Sequence, residues 1–183
     1  MSRRFVLLMV IASLSGCVQH EPTMSAENRQ IIVALVTQLP DQQSAYEKFA
    51  EEHPDEVEFL GRLVDHRLCV ARHVAGAPGE LVREDENPNA APNPSKVGER
   101  WEESKTRTPI PKGALPNHLR WDGPLSYCPS GVIRLGTPEI AGDTARVFIE
   151  NHCSGWCGWG GEMILKRTGE QWRVTENINW WQA

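Results

Sequence analysis

With 183 residues, 24 of them acidic and 19 basic, the chain carries a formal charge of −5. That length supports one domain with a modest core, and the acidic balance excludes nucleic acid as a partner and a polybasic grip on anionic lipid. The first segment stands outside that domain. Arg3 and Arg4 precede an unbroken apolar run from Phe5 to Ala12, and small residues follow at Ser15 and Gly16. A charged start, a short apolar core and a small-residue cut site form a secretory signal peptide over residues 1–16, too short to span a bilayer as a mature helix.

The residues at the cut, Leu14-Ser15-Gly16-Cys17, resemble the lipobox of bacterial lipoproteins. The resemblance implies cleavage before Cys17, a diacylglyceryl thioether on its sulfur and a further acyl chain on the new amino group. By the same resemblance Val18, standing where an aspartate would retain the protein in the inner membrane, implies the outer membrane with the body facing the periplasm. Two or three acyl chains anchor stably where one binds only marginally. The lipid is then the membrane contact, and the protein part need not touch the bilayer.

Export also fixes the cysteine chemistry. With Cys17 acylated, Cys69, Cys128, Cys153 and Cys157 remain, and an even number in an oxidising compartment predicts two disulfides with three possible pairings. Cys153 and Cys157 are near enough in the chain to meet across a tight loop, which leaves Cys69 for Cys128.

In chain order, residues 17–24 read as a tether and residues 25–75 as a helical part. Ser25 caps a helix whose apolar face is Ile31, Ile32, Leu35, Val36 and Leu39. Pro40 ends it, and Asp41 caps a second helix with Ala45, Tyr46, Phe49 and Ala50 as its stripe. Val57, Leu60, Leu63 and Val64 continue the helical period after Pro54. Arg67 to Val74 admits either a strand or a prolonged helix. Residues 76–116 are rich in proline and poor in apolar side chains, the composition of a long loop or linker, with Trp101 available to pin its middle.

Residues 117–183 change from helical to alternating period. Val132, Ile133 and Leu135 form a strand, as do residues 145–149 and 163–167, with turns at Ala141-Gly142-Asp143 and Thr168-Gly169-Glu170-Gln171. Trp172, Val174, Ile178 and Trp180 read as one face of a last strand, with Trp172 and Trp180 in the core. The predicted class is α+β, with N-terminal helices packed on a C-terminal antiparallel β-meander, because a sheet needs a cover. The final hairpin, opening on Gly142-Asp143-Thr144-Ala145-Arg146-Val147 and closing on Gly169-Glu170-Gln171-Trp172-Arg173-Val174, resembles NTF2-like endings. The helical front followed by a meander is also similar to cystatin-like folds. The loop from Cys153 to Gly160 resembles that of small lipid-anchored bacterial envelope proteins, which implies a setting and no activity.

The densest constellation is His152-Cys153-Ser154-Gly155-Trp156-Cys157-Gly158. Two thiolates and an imidazole suit copper or zinc. The glycines that follow make a poor helix start, however, so a structural disulfide is the better reading. His66, Cys69 and His73 would share a helix face, but on a strand His66 points away from the other two. No hydrolase elbow, zincin motif, phosphate loop or dinucleotide fingerprint is present, and no catalytic residue, metal ligand or cofactor is assigned. Trp156 and Trp159 stand on the glycine-rich loop, where rigid aromatic rings could stack on a sugar or insert into a partner. The sequence therefore reads as a lipid-anchored, non-enzymatic binding or structural component of the envelope, with an envelope protein or glycan as partner. Its rivals are an NTF2-like small-molecule pocket or enzyme, and metal or redox handling through His152, Cys153 and Cys157.

Overall fold

The Ser25 hydroxyl accepts a hydrogen bond from the Asn28 amide at 3.1 Å and starts helix α1, Ala26–Thr37, as its position before an apolar period requires. The structure, a computed structural model, describes residues 23–55, 65–78, 81, 101–123, 128–153 and 158–182, apart from the Asn179 side chain. Ile31, Ile32, Leu35 and Val36 are buried along one side of α1. Asp41 caps α2, Gln42–Glu52, through the Ser44 amide. No residue of α2 is buried. Its expected stripe consists of two alanines and two rings, and those rings find local partners: Tyr46 stacks on His66 at 3.6 Å and Phe49 on His53 at 4.7 Å. The third helical stretch, Val57 to Val64, lies outside the described residues, as do the signal segment, Cys17 and the tether up to residue 22. Among the described residues no helix is long and apolar enough to cross a membrane.

Among the described residues eight strands form one sheet: β1 Leu68–Ala75, β2 Arg107–Pro109, β3 Leu119–Trp121, β4 Val132–Gly136, β5 Glu139–Ala141, β6 Thr144–His152, β7 Gly158–Thr168 and β8 Gln171–Gln182. Their order is β2-β1-β4-β6-β7-β8, with β3 also on β1 and β5 on β6. The class is α+β with strands dominant, and the sheet is mixed rather than purely antiparallel, because β1 pairs in parallel with both β3 and β4. Parallel partners need a crossover connection, and the proline-rich segment supplies it. That segment is more than a loop. It contributes β2, a 3₁₀ turn at Lys112–Ala114 and the buried Trp101. The helical part likewise ends earlier than expected: Leu68–Ala75 is a strand between β2 and β4, so the strand reading of Arg67 to Val74 is the one that forms.

The core lies between α1 and one face of the sheet, where Ile31, Ile32, Leu35 and Val36 meet Leu68, Val70, Val74, Ile133, Leu135, Val147, Ile149, Leu165 and Trp172. The opposite face has a smaller apolar cluster of Ala71, Ala75, Leu81, Trp101 and Phe148. In β8 the single alternating face does not hold. Leu165 pairs with Val174 but Ile164 pairs with Glu176, so one extra residue reverses the pleat, and Ile178 comes opposite Glu162 on the far face. A second irregularity, between the rungs of Gly160 and Glu162, returns Trp180 to the core side, where at the end of the strand it is 43 % exposed rather than core.

Candidate functional site

Strand β1 carries two more residues than β4 between the rungs Val70–Ile133 and Val74–Leu135. Bulges bend a strand and re-aim its side chains. Here the irregularity lies opposite Arg134, on the sheet face that α1 does not cover, and an open cleft of about 450 Å³ sits over it. Ala71 and Val132 are its apolar lining. His73, Trp101, Glu102, Arg107, Asp122, Arg134 and His152 complete it.

The Trp101 indole organises this cluster. It donates from Nε1 to the Leu135 carbonyl at 3.2 Å, stacks on His73 at 5.3 Å, and has the Arg107 and Arg134 guanidinium carbons 4.1 and 4.9 Å from its ring centroid. Cations over an indole face are favourable, more so as water is withdrawn. Arg134 ion-pairs with Glu102 at the rim and with Glu150 below, its Nη1 donating to Glu150 Oε1 at 3.2 Å. Glu150 is 1 % exposed and its second oxygen accepts no hydrogen bond. Burial pushes its carboxyl above the ordinary glutamate range, and the Arg134 charge opposes that rise.

Both histidines of the cleft favour the neutral form. Burial and then the Arg107 charge lower His73, while burial and then Arg134 lower His152. Arg107 Nη1 donates to His73 Nε2 at 2.6 Å. An arginine N–H can only donate, so Nε2 is the acceptor and the proton of neutral His73 sits on Nδ1.

The residues singled out from sequence are not gathered in one place. Cys69 and Cys128 form a disulfide beside the cleft, where Arg120 Nε lies 3.1 Å from Cys69 Sγ and Nη1 bonds Asp65 at 3.1 Å. Asp65 also binds Arg67, whose hydrogen bonds hold its carboxyl well below the usual range. Cys153 is disulfide-bonded, and Cys157 and Trp156 lie outside the described residues. Trp159 sits half-buried against the core and stacks on Trp180 at 5.1 Å, on the opposite face from the cleft. Of the histidine–cysteine cluster, His66 is stacked under α2, Cys69 is oxidised and only His73 enters the cleft. Among the described residues no group of three His, Cys, Asp or Glu side chains could hold a metal ion.

The glycine run at the start of β7 has a steric cause. A Cβ on Gly160 would lie 2.8 Å from the Trp181 ring, and one on Gly161 would lie 2.9 Å from the Ile178 carbonyl and 3.0 Å from the Trp180 ring. The strand is stripped of side chains so that two indoles can lie against it, one on each face.

Sequence reading missed Arg107, Asp122, Arg134 and Glu150. Arg134 and Glu150 do carry a signal, a charged residue inside each of two apolar alternations that pair directly in register. Arg107 carries none, because it comes from the segment whose composition reads as linker, and Asp122 carries none, because it stands between that segment and the first predicted strand at Val132. In comparison with known proteins, no family model, curated protein or solved structure matches this chain.

Proposed function

We propose that this chain is a lipid-anchored protein of the bacterial outer membrane, tethered through Cys17 and facing the periplasm, that binds a small ligand without transforming it. The cleft beside Trp101 is the observation that carries the reading. Its charged and aromatic side chains occupy a sheet face that a purely structural domain would cover, and concave sites with a few convergent polar groups are the default binding sites of small molecules. The Cys69–Cys128 disulfide braces one wall of it. A run of antiparallel strands with α1 across one face supports an NTF2-like or cystatin-like ancestry, although the parallel pairs of β1 depart from that pattern.

The Trp159–Trp180 stack favours a second contact. This aromatic pair is partly open to solvent where the start of β7 meets the end of β8. An envelope protein or a glycan ring suits such a surface.

Two measurements test the reading. Cys17→Ala moves the protein from the membrane fraction to the soluble periplasm and removes the acyl mass from its N-terminal peptide; an unchanged fractionation refutes the anchor. Native mass spectrometry of protein extracted gently from its own envelope shows a bound small molecule that Arg107→Gln loses. Identical ligand-free masses for both proteins refute binding at the cleft.

A further inference from the structure

We infer that the cleft takes a small zwitterion of dipeptide size, with the ligand carboxylate on Arg107 and its ammonium on Asp122. The inference rests on the cleft being a binding site and adds the class of ligand.

Arg107 bears a full charge among neutral partners. Its Nε donates to the Ser104 carbonyl, its Nη2 to the carbonyls of Trp101 and Glu102, and its Nη1 to His73. Four of the five guanidinium N–H groups are thereby used and one remains. Among the described residues no carboxylate neutralises it.

Asp122 is the counterpart. Its Oδ1 accepts from the Gly123 amide at 2.7 Å, and among the described residues no basic side chain ion-pairs with its carboxylate. Arg72 donates instead to the Asp122 backbone carbonyl. Arg134, by contrast, is already matched by Glu102 and Glu150. The lining thus presents one open positive and one open negative charge. A ligand with a single charge would desolvate the other without a partner, at a cost, whereas a zwitterion answers both.

Spacing decides the size. Arg107 pairs with Ala75, and its guanidinium reaches back to the level of His73. Asp122 enters from the other end of the same strand edge, its amide donating to the Val70 carbonyl at 2.9 Å. The β1–β3 register, continued by one residue, sets Asp122 level with Ala71, two residues and roughly 7 Å from the level of His73 at about 3.3 Å per residue. The ammonium and carboxylate of a single amino acid lie closer together than that, and those of a dipeptide match it. Ala71 and Val132 leave room for small side chains; neutral His73, its Nε2 taken by Arg107, offers the Nδ1–H as a donor to a peptide group, and neutral His152 offers a donor and an acceptor.

Titration calorimetry on the full lipidated chain in detergent micelles tests this with alanyl-alanine, its N-acetyl form, its C-terminal amide and N-acetylglucosamine. The free dipeptide is expected to bind at least tenfold more tightly than either blocked form. Arg107→Gln should no longer distinguish acid from amide, and Asp122→Asn should no longer distinguish free from acetylated amine. If a blocked form or the sugar binds as well as the free dipeptide, the zwitterion assignment falls and the binding cleft stands. If no probe binds and the native mass of the extracted protein shows no ligand, both fall.

Discussion

Removing the Cys69–Cys128 disulfide with the double substitution Cys69→Ala/Cys128→Ala is expected to lower stability by about 4 kcal/mol. The bond joins residues separated by 59 in sequence, and the chain-entropy model gives about 4 kcal/mol for releasing a loop of that length. Cys69 is fully buried in β1, and β1 carries β2, β3 and β4. The cross-link therefore fastens the strand that holds half of the sheet to the segment leading into β4. For a domain of this size each kcal/mol moves Tm by roughly 2–4 °C, so the double variant should melt roughly 8–16 °C lower. Thermal unfolding followed by circular dichroism at neutral pH measures it, with the double variant chosen so that no free thiol is left to exchange. A fall of less than about 3 °C would refute the entropic argument. It would mean that the strands between Cys69 and Cys128 keep these positions close even in the unfolded chain, so that the bond constrains little.

Arg134→Ala strands the Glu150 carboxylate in the sheet and should cost about 3 kcal/mol at pH 8; the loss shrinks towards pH 5 as Glu150, already shifted upward by burial, takes a proton, and urea titrations at both pH values check it. Glu150→Gln added to Arg134→Ala should restore most of the loss, and no recovery would show that packing of the guanidinium on Trp101 matters more than its charge. His73 has its folded pKa lowered, so the unfolded chain binds the extra proton: stability is fully present above about pH 6.5 and falls as pH drops through that value. The melting temperature of His73→Gln relative to the parent should therefore rise as pH falls from 7 to 5.5, a difference in which the opposite titration of Glu150, common to both proteins, cancels. Gly160→Ala drives a methyl to within 2.8 Å of the Trp181 indole and 2.9 Å of the Ile149 carbonyl, and should cost about 1–3 kcal/mol by overpacking, read as a lower denaturation midpoint.

What could be read from sequence follows from how local each signal is. Ser25 and Asp41 announce their helices because a cap is a contact within one turn, and both caps form. The turns at Gly142 and Gly169 were legible for the same reason: each glycine has φ near +60°, as a two-residue hairpin turn demands, and each stands between alternating runs. The phase of β8 was not legible. An extra residue between Val174 and Glu176 turns Ile178 away from the face that Trp172 occupies, a second irregularity opposite Gly161 brings Trp180 back to it, and nothing in the composition marks either one. Neither β2, inside the proline-rich stretch, nor β3, just beyond it, was legible, because each is three residues long and draws its pairing from β1, a partner distant in sequence. The cleft inherits that blindness, since Arg107 opens β2 and Asp122 directly follows β3.

Energetics supply a reason to regard the cleft as more than a gap in the packing. A buried ion pair is weak support for a fold, because well-packed apolar residues of similar volume do as well or better. Arg134 and Glu150 sit directly opposite each other in the middle of β4 and β6, where the flanking rungs place Ile133 and Leu135 in the core. An apolar pair at that rung, with leucine or valine closing against Trp101, would complete the smaller cluster of Ala71, Ala75, Leu81 and Phe148. The chain instead keeps a carboxyl with one oxygen unsatisfied, an arginine shared between two acids, and a bulge in β1 that holds His73 and Arg107 beside them. Each feature costs stability alone. Together they hold three cationic or imidazole side chains and Trp101 in fixed positions around one opening, and pre-positioned polar groups around a concave surface lower the ordering cost of binding.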